Sequence, residues 1–380
     1  MVGKGEIDLD TSESVLYHYD QFPPKIDDYS RLVHSLIAAA AALARYDQML
    51  KGMHNSEILL APLRSQEAVV SSRMEGTIST LDELLRYEAD LEDETKNISP
   101  LARNDALEVF LYSRAMRDAQ RSVKDGQPLS QFLIRSMHKV LLGSGQGAAL
   151  SPGKFETDQN YLADRSRQKI LFTPISPERL DEGMEKLVLY MNDAKQEIHI
   201  RTALVHLEFE ALHPFKDGNG RIGRMLIPLM LWKAGVLSEP YFYISAYFER
   251  HRNDYIDKMR EVSASGAWED WIIFFLEALE AQANANLKIA EEIRQLYEGL
   301  KIRFRDVLSS KWSTTALDFL FTRPVFRNTT FLSKSGIPAP TAYGLVKTLL
   351  DDGMLKTVQM SSGRRPALYS FEPLLVLVRS

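Results

Sequence analysis

The chain of 380 residues contains no cysteine. This absence excludes a disulfide framework, a thiolate metal site and a cysteine nucleophile, and it fits a reducing cytoplasm. Long apolar runs are also missing, because residues 36–44, with five consecutive alanines, are too few to span a bilayer. Asp and Glu are scattered through the first thirty residues, so no secretory signal is predicted. Together these absences predict a cytoplasmic protein with no membrane partner.

The composition is that of a soluble globular protein of two or three domains, with 45% apolar and 26% charged residues. The formal net charge is −5, but it is unevenly distributed. Residues 301–380 hold twelve Lys/Arg and five Asp/Glu, an excess of +7 that leaves −12 for the rest. A basic tail on an acidic body predicts either a nucleic-acid or acidic partner for the tail, or a merely solvated basic face.

Residues 213–224, HPFKDGNGRIGR, carry the densest set of reactive and charged side chains. Helical patterns precede and follow them, which predicts a tight loop between two helices, the second beginning near Arg221. Glycines and a helix N-terminus let backbone N–H groups approach an anion. The guanidinium groups of Arg221 and Arg224 match phosphate oxygens. Asp217 is suited to Mg²⁺ beside a polyphosphate, and His213 is a candidate general base.

Other interpretations of these residues are weaker. Residues 218–223 fit the dinucleotide pattern GxGxxG, but that pattern follows a strand, and here a helix comes before it. His206, Glu210 and His213 could bind a metal from one helix face, although no further ligand cluster accompanies them. The Gly/Ser loop at 143–152 lacks the Gly-Lys-Ser/Thr ending of a Walker motif.

The stretch resembles the Fic-family signature HxFx[DE]GNGRxxR at every defined position. The resemblance implies nucleotidyl transfer, usually of AMP from ATP onto a hydroxyl of a protein Ser, Thr or Tyr. It assigns His213 as the base that deprotonates this hydroxyl, Asp217 as the Mg²⁺ ligand and Phe215 as the buried anchor of the loop. The implied nucleotide-binding set is Gly218, Asn219, Gly220, Arg221, Ile222, Gly223, Arg224 and Tyr255.

Tyr255 joins this set through a second, shorter likeness. The segment Arg252-x-x-Tyr255 resembles a family segment in which the tyrosine packs beside the nucleotide base. An aromatic residue at helical spacing is also typical of a hydrophobic core, so both interpretations of Tyr255 stay open.

A second motif lies in the N-terminal region, where a helix is predicted to end at Gly76. Glu75 is placed unfavourably there, because an acid near a helix C-terminus opposes the dipole. The segment Ser71-x-x-x-Glu75-Gly76 resembles the inhibitory-helix motif [ST]xxxE[GN]. That resemblance implies that Glu75 pairs with Arg224 and holds the enzyme inactive. A capping-box pattern at residues 79–83 then predicts the start of the next helix.

Residues 159–177 are polar and poor in helix formers, and residues 168–173 have strand character. In the family this place holds the flap, a hairpin that clamps the target protein through main-chain bonds. An ordinary surface loop is the other interpretation.

The tail resembles a winged helix-turn-helix, with residues 341–343 opening its recognition helix. DNA contact through Tyr343, Lys347, Arg364 and Arg365 is one interpretation. A protein-interaction or dimerisation module is the other, and in the dimerisation case the protein would be a homodimer.

The predicted fold is mainly α: a Fic helical core with a small β-hairpin flap, and a C-terminal winged helix-turn-helix domain. We divide the chain into an N-terminal helical region with the inhibitory helix (1–100), a catalytic core (101–260), connecting helices (261–310) and the winged domain (311–380). The predicted function is transfer of AMP to protein hydroxyls, including the protein's own, under inhibition by Glu75. There are two alternatives. The protein could remove AMP at the same site, or it could be a transcriptional regulator with a nucleotide-sensing body.

Overall fold

The computed structural model describes residues 14–26, 28–53, 55–92, 104–164, 169–193 and 195–379. Within them the fold is mainly α, as predicted, with two small sheets. The first helices are α1 (Val33–Gly52), α2 (Ser56–Leu59), α3 (Ala61–Met74), α4 (Leu81–Glu92), α5 (Asn104–Lys124), α6 (Gln131–Leu141), α7 (Pro177–Asn192) and α8 (Ile198–Leu212). The later helices are α9 (Asn219–Lys233), α10 (Ser245–Arg250), α11 (Arg252–Ser265), α12 (Trp268–Leu308), α13 (Ser313–Thr322), α14 (Asn328–Lys334), α15 (Ala339–Asp351) and α16 (Glu372–Arg379). The strands are β1 (Val15–Leu16), β2 (Leu162–Asp164), β3 (Lys169–Thr173), β4 (Val325–Arg327), β5 (Lys356–Gln359) and β6 (Leu368–Ser370).

The chain forms two compact units, each assembled from separate segments. The first unit comprises Met1–Leu43, Ala115–Pro240 and Tyr247–Ala281. The second comprises Ala44–Arg114, Tyr241–Ala246 and Gln282–Ser380. The four consecutive domains that we predicted from the sequence stay a prediction.

The first unit has α8 at its centre, packed between α7 and α9. Almost every side chain of α8 is buried, which explains why its apolar residues extend around the whole helix rather than along one stripe. Its sheet has the order β1-β3-β2, in which β2 and β3 pair antiparallel as the predicted hairpin requires.

The strand β1 adds to this hairpin in parallel with β3, pairing Val15 with Phe172. Val15–Leu16 is therefore the third strand of this sheet. The buried carboxylate of Glu208 on α8 holds it, accepting a bond from Tyr17 Oη at 2.5 Å and lying 2.8 Å from His18 Nε2.

In the second unit, α4 packs on β4, and α3 packs on α13 and α16. The tail contains α13, α14, α15 and a sheet of order β4-β6-β5. This order of elements supports the winged-helix interpretation, which stays a prediction. No described helix is long and apolar enough to cross a membrane.

Ion pairs in this unit link the acidic α4 to the basic tail. Asp90 accepts hydrogen bonds from the buried Arg327 at 2.7 Å and from Arg365 at 3.0 Å. Glu92 pairs with Arg323 at 2.8 Å. Part of the tail's positive charge is thus neutralised within the unit, and Arg365, one of the predicted DNA contacts, is among the residues engaged.

Side chains cap the N-termini of two helices. The capping box is confirmed at Thr80, whose Oγ1 accepts from the Glu83 N–H at 3.2 Å while the Glu83 carboxylate accepts from the Thr80 N–H at 2.8 Å. The second is α10, which begins at Ser245. The carboxylate of Glu67, on α3, accepts from the N–H and Oγ of Ser245 and so caps that helix from a distant part of the chain.

Candidate active site

The loop predicted between two helices joins α8 to α9, and α9 begins at Asn219, two residues earlier than expected. His213 ends α8 in the left-handed region, with φ +47°, and its N–H bonds to the Phe209 carbonyl at 3.1 Å. A non-glycine residue in this conformation costs on the order of 1–3 kcal/mol and persists where surrounding contacts impose it. The candidate base is therefore held by the backbone at the entrance to the loop.

The side chain of Asn219 closes the loop on itself. Its Oδ1 accepts from the Phe215 N–H at 2.9 Å, and its Nδ2 donates to the Phe215 carbonyl at 2.7 Å. Phe215 is completely buried, which confirms the predicted anchor. The Asn219 side chain therefore fixes the shape of the loop.

Two side chains outside the signature also hold the loop, and the sequence prediction missed both. Asn160 Nδ2 donates to the carbonyls of His213, at 3.2 Å, and Phe215, at 3.0 Å. The ring of His138, on α6, stacks on Phe215 with centroids 3.7 Å apart. Asn160 lies in the polar stretch predicted as the flap, and His138 follows the buried face of an amphipathic helix. Neither position carries a local sequence signal of its role.

The N-terminus of α9 presents the charged groups. Gly218 precedes the helix with φ +82°, a conformation that favours glycine. Arg221 Nη2 donates to Asp217 Oδ2 at 2.8 Å. The guanidinium side is buried, whereas the Asp217 side chain is 43% exposed. A half-exposed carboxylate therefore lies at a helix N-terminus, next to a buried guanidinium.

Ile222 and Gly223 serve helix packing. Ile222 is fully buried, and a Cβ on Gly223 would lie 2.4 Å from Glu210 Oε1 and 3.2 Å from Phe209 Cδ1. Gly223 thus permits the close approach of α9 to α8. Arg224 follows and is buried. Nucleotide contact by Ile222 and Gly223 stays a prediction, and helix packing accounts for both residues.

Tyr255 lies on α11 in a buried aromatic cluster, where its ring stacks on Phe248 with centroids 4.5 Å apart. Its Oη lies 2.8 Å from His206 Nε2. Burial, reinforced by the charge of Arg224, lowers the pKa of His206 to about 3. The core interpretation of Tyr255 is therefore supported, while contact with a nucleotide base stays a prediction.

The second motif lies in the second unit, on α3. Ser71 is completely buried, and the helix ends at Met74. The N–H of Glu75 bonds to the Ser72 carbonyl at 3.0 Å, and Gly76 adopts φ +95°. The predicted helix end is confirmed, and inhibition by Glu75 stays a prediction.

A magnesium ion would find one suitable ligand here. Mg²⁺ in nucleotide sites takes one or two carboxylates and completes its octahedron with phosphate oxygens and water. The half-exposed Asp217 carboxylate fits that requirement. The described residues contain no group of three or more His, Asp or Glu that could hold a metal unaided, so a metal here would depend on phosphate ligands.

Sequence comparisons match two adjoining stretches of the chain. The Fic/DOC family N-terminal profile matches residues 33–121, and the Fic/DOC family profile matches residues 128–231. The chain belongs to the Fic/DOC family. The second match includes the whole loop and the start of α9.

Curated relatives of this Fic/DOC chain are named protein adenylyltransferases. Those called fic-1 in Caenorhabditis briggsae and Caenorhabditis elegans are 34% and 33% identical over 116 residues, which is 30% of this chain. The match spans about a fifth of the length of these relatives (21%). A probable protein adenylyltransferase of Aquifex aeolicus is 24% identical over 65% of this chain and 68% of its own length.

Solved structures share the fold. A Fic family protein of Desulfovibrio desulfuricans G20 has a TM-score of 0.54 and 17% identity, covering 92% of this chain and 97% of that one. A Fic-domain signalling protein of Bacteroides thetaiotaomicron has a TM-score of 0.54 and 19% identity, covering 68% of this chain and 97% of that one.

Proposed function

We propose that this protein transfers AMP from ATP to a hydroxyl group of a protein side chain, its own included. The observation that carries the proposal is the loop between α8 and α9, which places His213 before a helix N-terminus bearing Asp217 and Arg221. Such an N-terminus attracts phosphate through its unpaired N–H groups and its dipole. The names of the curated relatives support the same reaction.

In the proposed reaction, a ring nitrogen of His213 takes the proton of the target hydroxyl. The hydroxyl oxygen forms a bond to the α-phosphorus of ATP as the bond from that phosphorus to the bridging oxygen breaks. Pyrophosphate leaves with the bonding electrons, and AMP remains on the target as a phosphodiester. Positioning and charge stabilisation account for most of the catalysis in phosphoryl chemistry of this kind.

Arg221 and Arg224 neutralise the β- and γ-phosphates in this proposal. Both guanidiniums are buried, so their interaction with a phosphate would be less screened than at an exposed site. Asp217 would hold Mg²⁺, and the ion would supply positive charge next to the phosphates. When ATP binds, the Arg221 guanidinium would donate to a phosphate oxygen, either in place of its bond to Asp217 or in addition to it.

Glu75 restrains the reaction in the same proposal, with Ser71 as the other fixed residue of its motif. The support is the motif and its place at the end of α3. Substituting glycine removes the carboxylate while keeping a residue that tolerates the helix end. We therefore expect Glu75→Gly to raise self-modification.

The deciding experiment incubates the purified protein with Mg²⁺ and ATP labelled at the α-phosphorus. We expect label on the Glu75→Gly protein and none on Glu75→Gly/His213→Ala. Label that persists without His213 would refute the role of the base. A Glu75→Gly protein that stays unlabelled, alone and with added cell extract, would refute AMP transfer.

Parallel reactions with labelled UTP, GTP and CTP test which nucleotide base the protein prefers. A uridine 5′-monophosphate transferase of Xanthomonas campestris pv. campestris is 36% identical over 72 residues, 17% of this chain. A preference for UTP would retain the proposal of nucleotidyl transfer but change the nucleotide substrate from ATP to UTP. Release of AMP from a modified protein, without transfer, would favour the reverse reaction.

A further inference from the structure

His138, on α6, contacts the loop between α8 and α9 at Phe215 and Asp217 while lying 75 residues or more before this loop in the sequence. It is completely buried. Its ring lies parallel to that of Phe215, with an interplanar angle of 6°. Its Nε2 lies 2.9 Å from the Asp217 carbonyl, and its Cδ2 would lie 3.7 Å from a Cβ on Gly218.

The hydrogen bonds of His138 determine which nitrogen carries its proton. The Gly153 N–H can only donate, so Nδ1, at 2.8 Å, must accept. The Asp217 carbonyl can only accept, so Nε2 must donate. The neutral ring with its proton on Nε2 satisfies both partners at once. Both nitrogens are thereby used in main-chain bonds, and neither is available for proton transfer.

We infer that His138 is a positioning residue for nucleotidyl transfer, which holds the Asp217 main chain and the Phe215 ring so that the Asp217 carboxylate and the start of α9 face the nucleotide. This inference rests on the proposed function. Asp217 has its carbonyl fixed inside the protein by His138 and its carboxylate half-exposed next to Arg221. Losing the inner bond would let the whole residue rotate, and displacements near 1 Å at a reacting centre reduce rates by about a hundredfold.

The test compares His138→Gln with His138→Leu, both in the Glu75→Gly background. Glutamine has a side-chain N–H that can replace Nε2, whereas leucine keeps the volume and loses both bonds. We expect His138→Leu to reduce the kcat of transfer by ten- to a hundredfold and to raise the Mg²⁺ concentration needed for half-maximal rate. We expect His138→Gln to recover part of both. The matched control is His199→Gln, which changes another buried histidine of the first unit.

A second readout does not depend on activity. Hydrogen–deuterium exchange of the peptide covering 213–224 is measured without nucleotide in all three variants. We expect exchange in His138→Leu to rise at least tenfold within this peptide while α8 stays protected, and His199→Gln to match the parent. Unchanged loop exchange in His138→Leu would overturn the inference even if AMP transfer is real. Faster loop exchange with no labelling in any protein would retain the positioning role and refute the transfer.

Discussion

The carboxylate of Asp217 and the guanidinium of Arg221 pair at 2.8 Å across the first turn of α9. A salt bridge with one half-exposed member contributes little to stability. In the proposed reaction, the pair places a carboxylate ligand for Mg²⁺ beside a cation for phosphate. Both roles follow from the chemistry of Mg²⁺ and of guanidinium groups.

Replacing Asp217 by asparagine should therefore affect the reaction more than the fold. We expect Asp217→Asn to reduce AMP transfer by about a hundredfold at limiting Mg²⁺, because the amide oxygen is a weaker ligand. The melting temperature should fall by no more than a few degrees. Rates are measured across a Mg²⁺ titration, with the exposed Asp158→Asn as control. A curve that coincides with the parent's would show that Asp217 holds no metal.

The two hydrogen bonds between the Asn219 side chain and the main chain of Phe215 lead to a prediction about stability. Asn219→Ala leaves the buried Phe215 N–H without this partner, and such a loss costs about 1–3 kcal/mol. The Phe215 carbonyl keeps its bond from Asn160, so we expect denaturant unfolding to show a loss of about 1–3 kcal/mol. Asn219→Asp restores the acceptor for the N–H but places a carboxylate oxygen against the Phe215 carbonyl, so it should recover less than half of the loss. Equal stability of Asn219→Ala and the parent would contradict the closure of the loop by this side chain.

The signature loop could be predicted because everything that defines it is local. Two helical patterns, Pro214 and the Gly218-Asn219-Gly220 run fix a turn within one stretch of chain. His138 and Asn160 could not be predicted as loop contacts, because their partners lie 79 and 53–55 residues away and no spacing rule links them. The start of α10 could not be predicted for the same reason, since Glu67 caps it across 178 residues.

Gly223 offers a test of the close approach of α9 to α8. Gly223→Ala would bring a Cβ to 2.4 Å from Glu210 Oε1 and 3.2 Å from the Phe209 ring, so those side chains must shift. Overpacking of this kind typically costs about 1–3 kcal/mol. The matched control is Gly299→Ala in α12, where nothing lies within 4 Å of the added Cβ. There alanine should stabilise by about 0.5–1 kcal/mol through helix propensity. Stabilisation by both substitutions would show that Gly223 is not a contact point.

Asp90 links two arginines of the tail to α4, and Arg327 is the more deeply buried of the two. Its side chain is 1% exposed and bonds to Asp90 through Nε and Nη2. Removing one partner of a buried ion pair costs about 3–5 kcal/mol, because the other charge stays buried. We expect that loss for Asp90→Ala in denaturant unfolding. Glu92→Ala, which breaks a partly exposed pair with Arg323, should cost less than about 1 kcal/mol. Similar losses in both variants would contradict this ranking.

The low pKa of His206 predicts how the free energy of unfolding depends on pH. Burial, followed by the charge of Arg224, lowers its pKa from 6.5 to about 3 in the folded protein. Below pH 6.5 the unfolded chain binds a proton here that the folded chain does not bind, so acid favours unfolding. Above pH 6.5 both states are neutral at this residue and it has no effect. Between pH 6.5 and 4 this group should reduce the free energy of unfolding by about 1.4 kcal/mol per pH unit.

The measurement compares denaturant unfolding of the parent and His206→Gln from pH 7.5 to 4.5. Glutamine can retain a hydrogen bond to Tyr255 and has no titratable group, so its curve should be flatter by about that slope. The control is His34→Gln, which replaces an exposed histidine. Parallel curves for the parent and His206→Gln would mean that His206 takes up its proton in the folded state as readily as in the unfolded chain, and that water reaches the aromatic cluster around Tyr255.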